Sequence, residues 1–238
     1  MLERKISDFS YNLPYELIAL TPPKTRGASR LLVLHRPAGR LEHQSYGDFI
    51  DYIQPGDVVV LNDAKGQKRE LLLGDHHNND LTKRRCTYRG TIKAGKVLSV
   101  DGTPVTITKV DQGGLAEIAA DINLLDLAEH EGSVPLPPYI RREATAEDIM
   151  RYQTIFAKRA GSVAAPTASL NITQGLLDAI VAKNATVTYI TLHVGLGTFL
   201  PIRTDNIEQH NMHSEYFEIP EAFPAKPTSL YTPATTLK

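Results

Sequence analysis

Residues Thr186 to Val194 form a β-branched, apolar run that stops at Gly195-Leu196-Gly197. A run apolar on both of its faces suits a strand covered on both sides, so the spacing predicts a central strand. Helix signals lie just upstream. Thr173 can cap a helix running to Lys183, with Leu176, Leu177, Ile180 and Val181 on its buried side. Loop, helix, strand and glycine loop, in that order, form a layout that places ligands at the carboxyl ends of strands.

The amino-terminal third repeats the theme. Leu31 to His35 reads as a buried strand, residues 45 to 54 as an amphipathic helix carrying Tyr46, Phe49, Ile50 and Ile53, and Val58 to Leu61 as a second buried strand ending at Asn62-Asp63. Strand, helix, strand predicts an α/β layer. From Ala64 to Lys96 periodicity fades and nine basic residues face three acidic ones. Short β-type runs follow at Lys96–Val100, Val105–Val110 and Leu115–Ala120, punctuated by Asp101-Gly102-Thr103-Pro104 and Gly113-Gly114, which suggests a small inserted β-barrel or sandwich. Leu124, Leu125 and Leu127 mark a short helix, Pro135 to Ile140 must be extended, residues 145 to 156 read as helical, and Gly161 to Asn171 is a small-residue loop. The expected fold class is α/β, a larger α/β domain (1–63 plus 152–220) with an inserted small β-barrel domain (64–151). The proline-rich, aperiodic stretch 221–238 is expected to be a disordered tail.

Composition narrows the function classes. The 238 residues carry a formal net charge of only −1, so any contact with RNA must come from a local patch. The only cysteine, Cys86, can form neither an internal disulfide nor a multi-cysteine metal site, which suits a reducing compartment. The charged start Met1-Leu2-Glu3-Arg4-Lys5 lacks the apolar stretch of a secretory signal, and no run approaches the roughly 18 apolar residues that span a bilayer. The expectation is a cytoplasmic monomer with no membrane association.

Four motifs could carry chemistry, each beside a plainer reading. Gly161 to Ala168 is a run of small side chains that lets backbone amides approach a ligand, with Ser162 and Thr167 able to orient a ribose or phosphate; composition alone fits a tight turn between packed elements better. His193 sits inside an apolar strand just before a glycine loop, where it could move protons or be a buried imidazole satisfied by backbone; Gly195-x-Gly197 is not a dinucleotide fingerprint, for want of a third glycine. His210, His213 and Glu215 could bind a metal, contact sugar hydroxyls beside a reacting centre, or form a surface loop; no third strong ligand supports a metal. The basic run between Lys65 and Lys96 could touch phosphates, although charge runs are more often simply solvated.

Taken in order, these pieces are specific. Asp8-Phe9, Leu13-Pro14, Leu17-Ile18-Ala19, Arg26 with Ser29-Arg30-Leu31-Leu32, Pro55-Gly56-Asp57 with Asn62-Asp63, Val134 to Ile140, Tyr152-Gln153-Thr154, Gly161 to Ala168, Thr191 to Phe199 and His210 to Tyr216 resemble the S-adenosylmethionine:tRNA ribosyltransferase-isomerases of queuosine synthesis, from about residue 8 to 220. The resemblance implies a larger α/β domain with a small β-barrel inserted in it. It also implies transfer of the ribosyl part of S-adenosylmethionine, a substrate rather than a resident cofactor, to the aminomethyl-deazaguanine in a tRNA anticodon. The product is epoxyqueuosine, with loss of adenine and methionine, and no metal is implied. By resemblance His193, His213 and Glu215 are the candidate catalytic residues. Arg26, Arg30, Asn62, Asp63, Ser162, Thr167, Gly195, Gly197 and His210 are the candidate substrate contacts.

The departures from the family pattern leave a second reading open. After Asn62-Asp63 the family continues with a Thr-Arg-Val-x-Pro-Ala-Arg-type segment, where this chain has Ala64-Lys65-Gly66. An expected histidine is Asn171, which cannot act as an acid or base, and residues 76 to 92 match poorly. Family members also continue past residue 220 through further strands and helices, where this sequence has its proline-rich stretch. The alternative is an inactive, truncated remnant with at most weak RNA or nucleoside binding. A stand-alone RNA-binding module, resting only on the basic run, ranks third.

Overall fold

The computed structural model describes residues 4–66, 73–74, 80–88, 91–111, 114–132, 134–137, 139–199, 202 and 204–221. In chain order its strands and α-helices are β1 (Arg30–His35), β2 (Arg40–Ser45), β3 (Val58–Asn62), β4 (Ala64–Gly66), β5 (Leu73–Gly74), β6 (Lys83–Thr87), β7 (Val97–Val100), β8 (Thr103–Asp111), β9 (Leu115–Ala119), α1 (Leu124–Glu131), α2 (Ala146–Arg151), β10 (Arg159–Ser162), α3 (Gln174–Ala182), β11 (Thr186–His193) and β12 (Tyr216–Glu218). The architecture is mixed α/β with several sheets.

The site is positioned by a three-stranded sheet ordered β12-β11-β3. β11 runs parallel to β3, from Thr186 opposite Val58 to Ile190 opposite Asn62, and antiparallel to β12, with His193 opposite Tyr216. Parallel neighbours need a crossover, and α3 supplies the last part of it. Thr173 caps that helix, its hydroxyl accepting from the Leu176 amide at 3.2 Å. Leu176, Leu177 and Ile180 pack on Leu61, Ile53, Phe156 and Ile172 to form the core of this layer. Val181, expected on the buried side, is 58% exposed, because the buried stripe is centred on Leu176, Leu177 and Ile180.

Asn62 ties the sheet at its carboxyl end. Its carboxamide oxygen accepts from the amides of Leu192 and Ala64 at 3.0 and 2.9 Å, and its nitrogen donates to the Leu192 carbonyl at 2.9 Å. Asp63 accepts from the Thr191 hydroxyl at 2.7 Å. The chain then enters β4, which pairs in parallel with β10.

Residues 73 to 119 build a five-stranded sheet ordered β5-β6-β9-β8-β7. Its apolar face (Cys86, Val105, Ile107, Ala116, Ile118) is covered by Leu124, Leu127 and Ala128 of α1. Burial pushes the Cys86 thiol up to about 11, well away from its reactive range. The described pairings leave β5 and β7 at the two ends of an open sheet, and closure into the expected barrel is not among them.

Two expectations are corrected. Leu31–His35 is a strand, but not a buried one: it forms a two-stranded hairpin with β2, and Leu32 and Leu34 are 59% and 55% exposed. A strand outside the main sheet has only one face covered, so it shows alternation instead of uniform burial. The helix expected over 45–54 is a 3₁₀ helix, Tyr46–Tyr52, whose apolar residues still pack on the α3 layer. The expected tail lies almost wholly outside the described residues, from residue 222 onward.

Candidate functional site

Three segments distant in sequence meet at the end of β11. The first is the small-residue loop. The Ser162 hydroxyl, fully buried, donates to the Ala164 carbonyl at 2.7 Å and accepts from the Val194 amide at 2.9 Å, and the Val163 amide reaches the Val194 carbonyl at 2.9 Å. A hydroxyl that donates to one strand end and accepts from another ties the loop to β11. The loop also packs closely on β4: a Cβ at Gly66 would overlap the Ala165 backbone, so only glycine fits at that point of the strand.

The second segment is the glycine loop after His193, and the third is the His/Glu stretch. The Glu215 carboxylate accepts from the Gly195 amide at 3.0 Å and lies 3.2 Å from His213 Nε2, through the same oxygen. The imidazole of His213 lies against the Gly197 backbone, where a Cβ would overlap the ring. His193 stacks on Tyr216, with ring centroids 5.8 Å apart and planes 25° from parallel. The cause is register: β11 and β12 place these two residues directly opposite. Gly195, Gly197, His213 and Glu215 are thus brought into contact, with Ser162 tied to the adjoining Val194 and His193 stacked on Tyr216, the neighbour of Glu215 in the chain.

The remaining expected residues lie around or away from this cluster. The side chains of Asn62 and Asp63 are engaged with Leu192, Ala64 and Thr191, below the loop. Thr167 is exposed on a 3₁₀ turn, Thr167–Ser169. His210 caps the 3₁₀ turn Ile207–Gln209, with its amide on the Ile207 carbonyl. Arg26 directs one nitrogen to the Leu170 carbonyl at 2.5 Å, and burial first, then neighbouring Arg151, lowers its pKa. Arg30 is exposed at the start of β1. Asn171, standing where a histidine was expected, accepts from the Ser29 hydroxyl at 2.8 Å.

Parts of the basic run have local partners. Arg84 is 7% exposed and donates to the carbonyls of Asp80 and Lys83, Lys83 pairs with Asp80, and Arg85 with Asp111. Sequence reasoning passed over Tyr216 as a site residue. The signal was there, an aromatic at the start of a short strand next to the His/Glu cluster, but its partner depends on a strand register that no local pattern encodes. Among the described residues no three His, Cys, Asp or Glu side chains gather as a metal site would require, and no helix is long and apolar enough to cross a membrane.

Fold and site together define an α/β protein with histidines, a glutamate and a glycine loop gathered at the carboxyl end of its parallel strands. A family model described as queuosine biosynthesis protein matches residues 6–227. The chain is 44% identical over 231 residues to the S-adenosylmethionine:tRNA ribosyltransferase-isomerase of Chlorobaculum parvum, covering 92% of this chain and 67% of that protein. It is 41% identical over 237 residues to the enzyme of the same name from Macrococcus caseolyticus, covering 91% and 68%. A solved S-adenosylmethionine tRNA ribosyltransferase from Thermotoga maritima is 25% identical and covers 79% of this chain and 59% of that one, with a TM-score of 0.35. The chain belongs to the S-adenosylmethionine:tRNA ribosyltransferase-isomerase family, and it spans about two thirds of the length of the relatives it matches.

Proposed function

We propose that the chain transfers the ribosyl moiety of S-adenosylmethionine to the aminomethyl-deazaguanine of a tRNA anticodon and isomerises it, giving epoxyqueuosine. The observation that carries this reading is the meeting of Ser162, His193, Gly195, Gly197, His213 and Glu215 at one strand end. The sulfonium of the donor acidifies the adjacent C–H, so one positioned base can start the rearrangement, and adenine and methionine then depart. His213, braced by Glu215 and by the Gly197 backbone, is that base in our reading, and His193 is the second proton carrier. Gly195 and Gly197 offer their backbone to the donor's sugar over a floor held by Ser162, Asn62 and Asp63, and Thr167, His210, Arg26 and Arg30, outside the cluster, are the further candidate contacts. The family's tRNA substrate fits a cytoplasmic protein acting as a monomer without a metal. The larger unit, residues 1–63 and 152–220, carries the site, with 64–151 a barrel-like insertion supported by the continuous sheet from β5 to β9.

One observation favours a second reading, a protein that binds nucleosides without catalysis: Asn171 holds a hydroxyl where the family has a titratable imidazole. Incubation with S-adenosylmethionine and precursor-bearing tRNA separates the two. Catalysis releases adenine, and His213→Ala abolishes the release. Absence of adenine at enzyme concentrations equal to the tRNA leaves only the binding protein.

A further inference from the structure

Tyr216 is an aromatic residue that the proposed chemistry does not use and that joins the end of β11 through His193. Its ring lies against His193 at 5.8 Å between centroids, 25° from parallel, and the residue is 63% exposed. Its hydroxyl donates to Glu218 Oε1 at 3.1 Å, which raises the phenol's pKa and keeps it protonated. The ring is therefore held on one face by an imidazole, at its tip by a carboxylate and at its backbone by the β11–β12 pairing. An exposed ring that already rests on a neighbour and is bonded at its tip has less rotamer freedom to lose, so stacking a ligand on it costs less further ordering. The neighbouring residue in sequence is Glu215, which touches both the Gly195 amide and His213.

We infer that Tyr216 is a stacking platform for a planar purine-type base, extending the His193–Tyr216 pair to three layers. This rests on the nucleoside-handling reading above and adds a binding residue to it. A π-face recognises any such base, because stacking reads shape and polarisability instead of hydrogen-bond pattern. Two sources share that chemistry, the adenine of the donor and the deazaguanine of the tRNA.

The chain has no tryptophan, so Tyr216→Trp creates a single fluorophore at the platform. Titration with adenosine and, separately, with 7-aminomethyl-7-deazaguanine reads stacking directly as quenching, whether or not the protein turns over. Tyr11→Trp, at a residue 78% exposed and outside the cluster, is the control. Saturable quenching of the Tyr216→Trp protein alone supports the platform, and the base that produces it names the source. Equal quenching of both proteins, or none with either base, overturns it. In calorimetry the unsubstituted chain should bind the same base about tenfold more tightly than Tyr216→Leu, and Tyr216→Phe, which keeps the ring and loses only the bond to Glu218, should fall between them. Equal affinity of Tyr216→Leu and the parent also overturns the platform. Adenine release that survives in Tyr216→Leu at unchanged KM sinks the platform and leaves the proposed reaction standing, whereas quenching without any adenine release does the reverse.

Discussion

Gly195 and Gly197 differ in what stands opposite them. A Cβ on Gly195 meets nothing within 4 Å, whereas one on Gly197 would overlap the His213 imidazole. The ring must then shift, and a displacement on the order of 1 Å at a reacting centre can cost about 100-fold in rate. Gly197→Ala is therefore expected to lower adenine release about 100-fold with its melting temperature unchanged, and Gly195→Ala to behave like the parent. Equal losses in both variants would mean that loop flexibility matters and the His213 contact does not. The sequence marks both glycines as the end of a strand, but it cannot distinguish them, because the partner lies 16 residues downstream in a segment with no periodicity. Arg26 teaches the same lesson. Its type suggests an anion ligand, and only the fold shows that it reaches the Leu170 carbonyl.

At the scale of elements, α2 depends on one carboxylate. Asp148 closes the capping box with Thr145 and receives Arg142 on both oxygens, at 2.6 and 2.8 Å, while Arg142 Nε reaches the Leu20 carbonyl. This arrangement pins the extended N-terminal arm to the helix, and Arg151 adds bonds to the carbonyls of Pro23 and Lys24. Asp148 is 4% exposed, and removing one partner of a buried pair leaves the other uncompensated, so Asp148→Ala should cost about 3 kcal/mol. Arg142 first, then the Thr145 hydrogen bonds, hold the Asp148 carboxyl well below the usual carboxylate range. A depressed folded-state pKa gives stability that is complete above the unfolded value of about 4 and drains away as pH falls toward the folded one. Urea melts should therefore lose stability between pH 5 and pH 2 in the parent, and less steeply in Asp148→Asn. Parallel pH curves would remove this carboxylate from the account. The sequence reads as helical over residues 145 to 156, and the helix formed is shorter, Ala146–Arg151; the arm it anchors carries no such signal. Residues 10 to 28 have no period, and their order comes from guanidinium bonds to backbone carbonyls over 120 residues away.

Over the whole molecule, the partnership of the apolar runs at residues 58–61 and 186–194 follows only from the fold, which brings Val58 opposite Thr186. Periodicity sets which face of a strand is covered, but not which distant strand lies beside it. The β-rich middle was legible as strands, but the barrel expected of them was not borne out by the described pairings, which leave β5 and β7 at the ends of an open sheet. Likewise, a count of charges could not show that Arg84 is buried on the carbonyls of Asp80 and Lys83, since burial is a property of the folded sheet. Asn62 is where this long-range order is concentrated, because one carboxamide joins the end of β3 to Leu192 of β11 and to the first residue of β4. Its expected role as a substrate contact and its observed bonds to backbone lead to different outcomes. Truncation to alanine strands two amides and a carbonyl in a partly buried place, at about 1 kcal/mol or more each, roughly 3 kcal/mol together. For a chain of this size that is about 6 to 12 °C in Tm. Asn62→Ala is therefore expected to melt lower by that amount and to weaken adenosine binding only through the loosened strand end, so that the loss shrinks on cooling. An unchanged melt with a loss of binding that is the same at every temperature would move Asn62 out of the sheet's framework and into direct contact with the ligand.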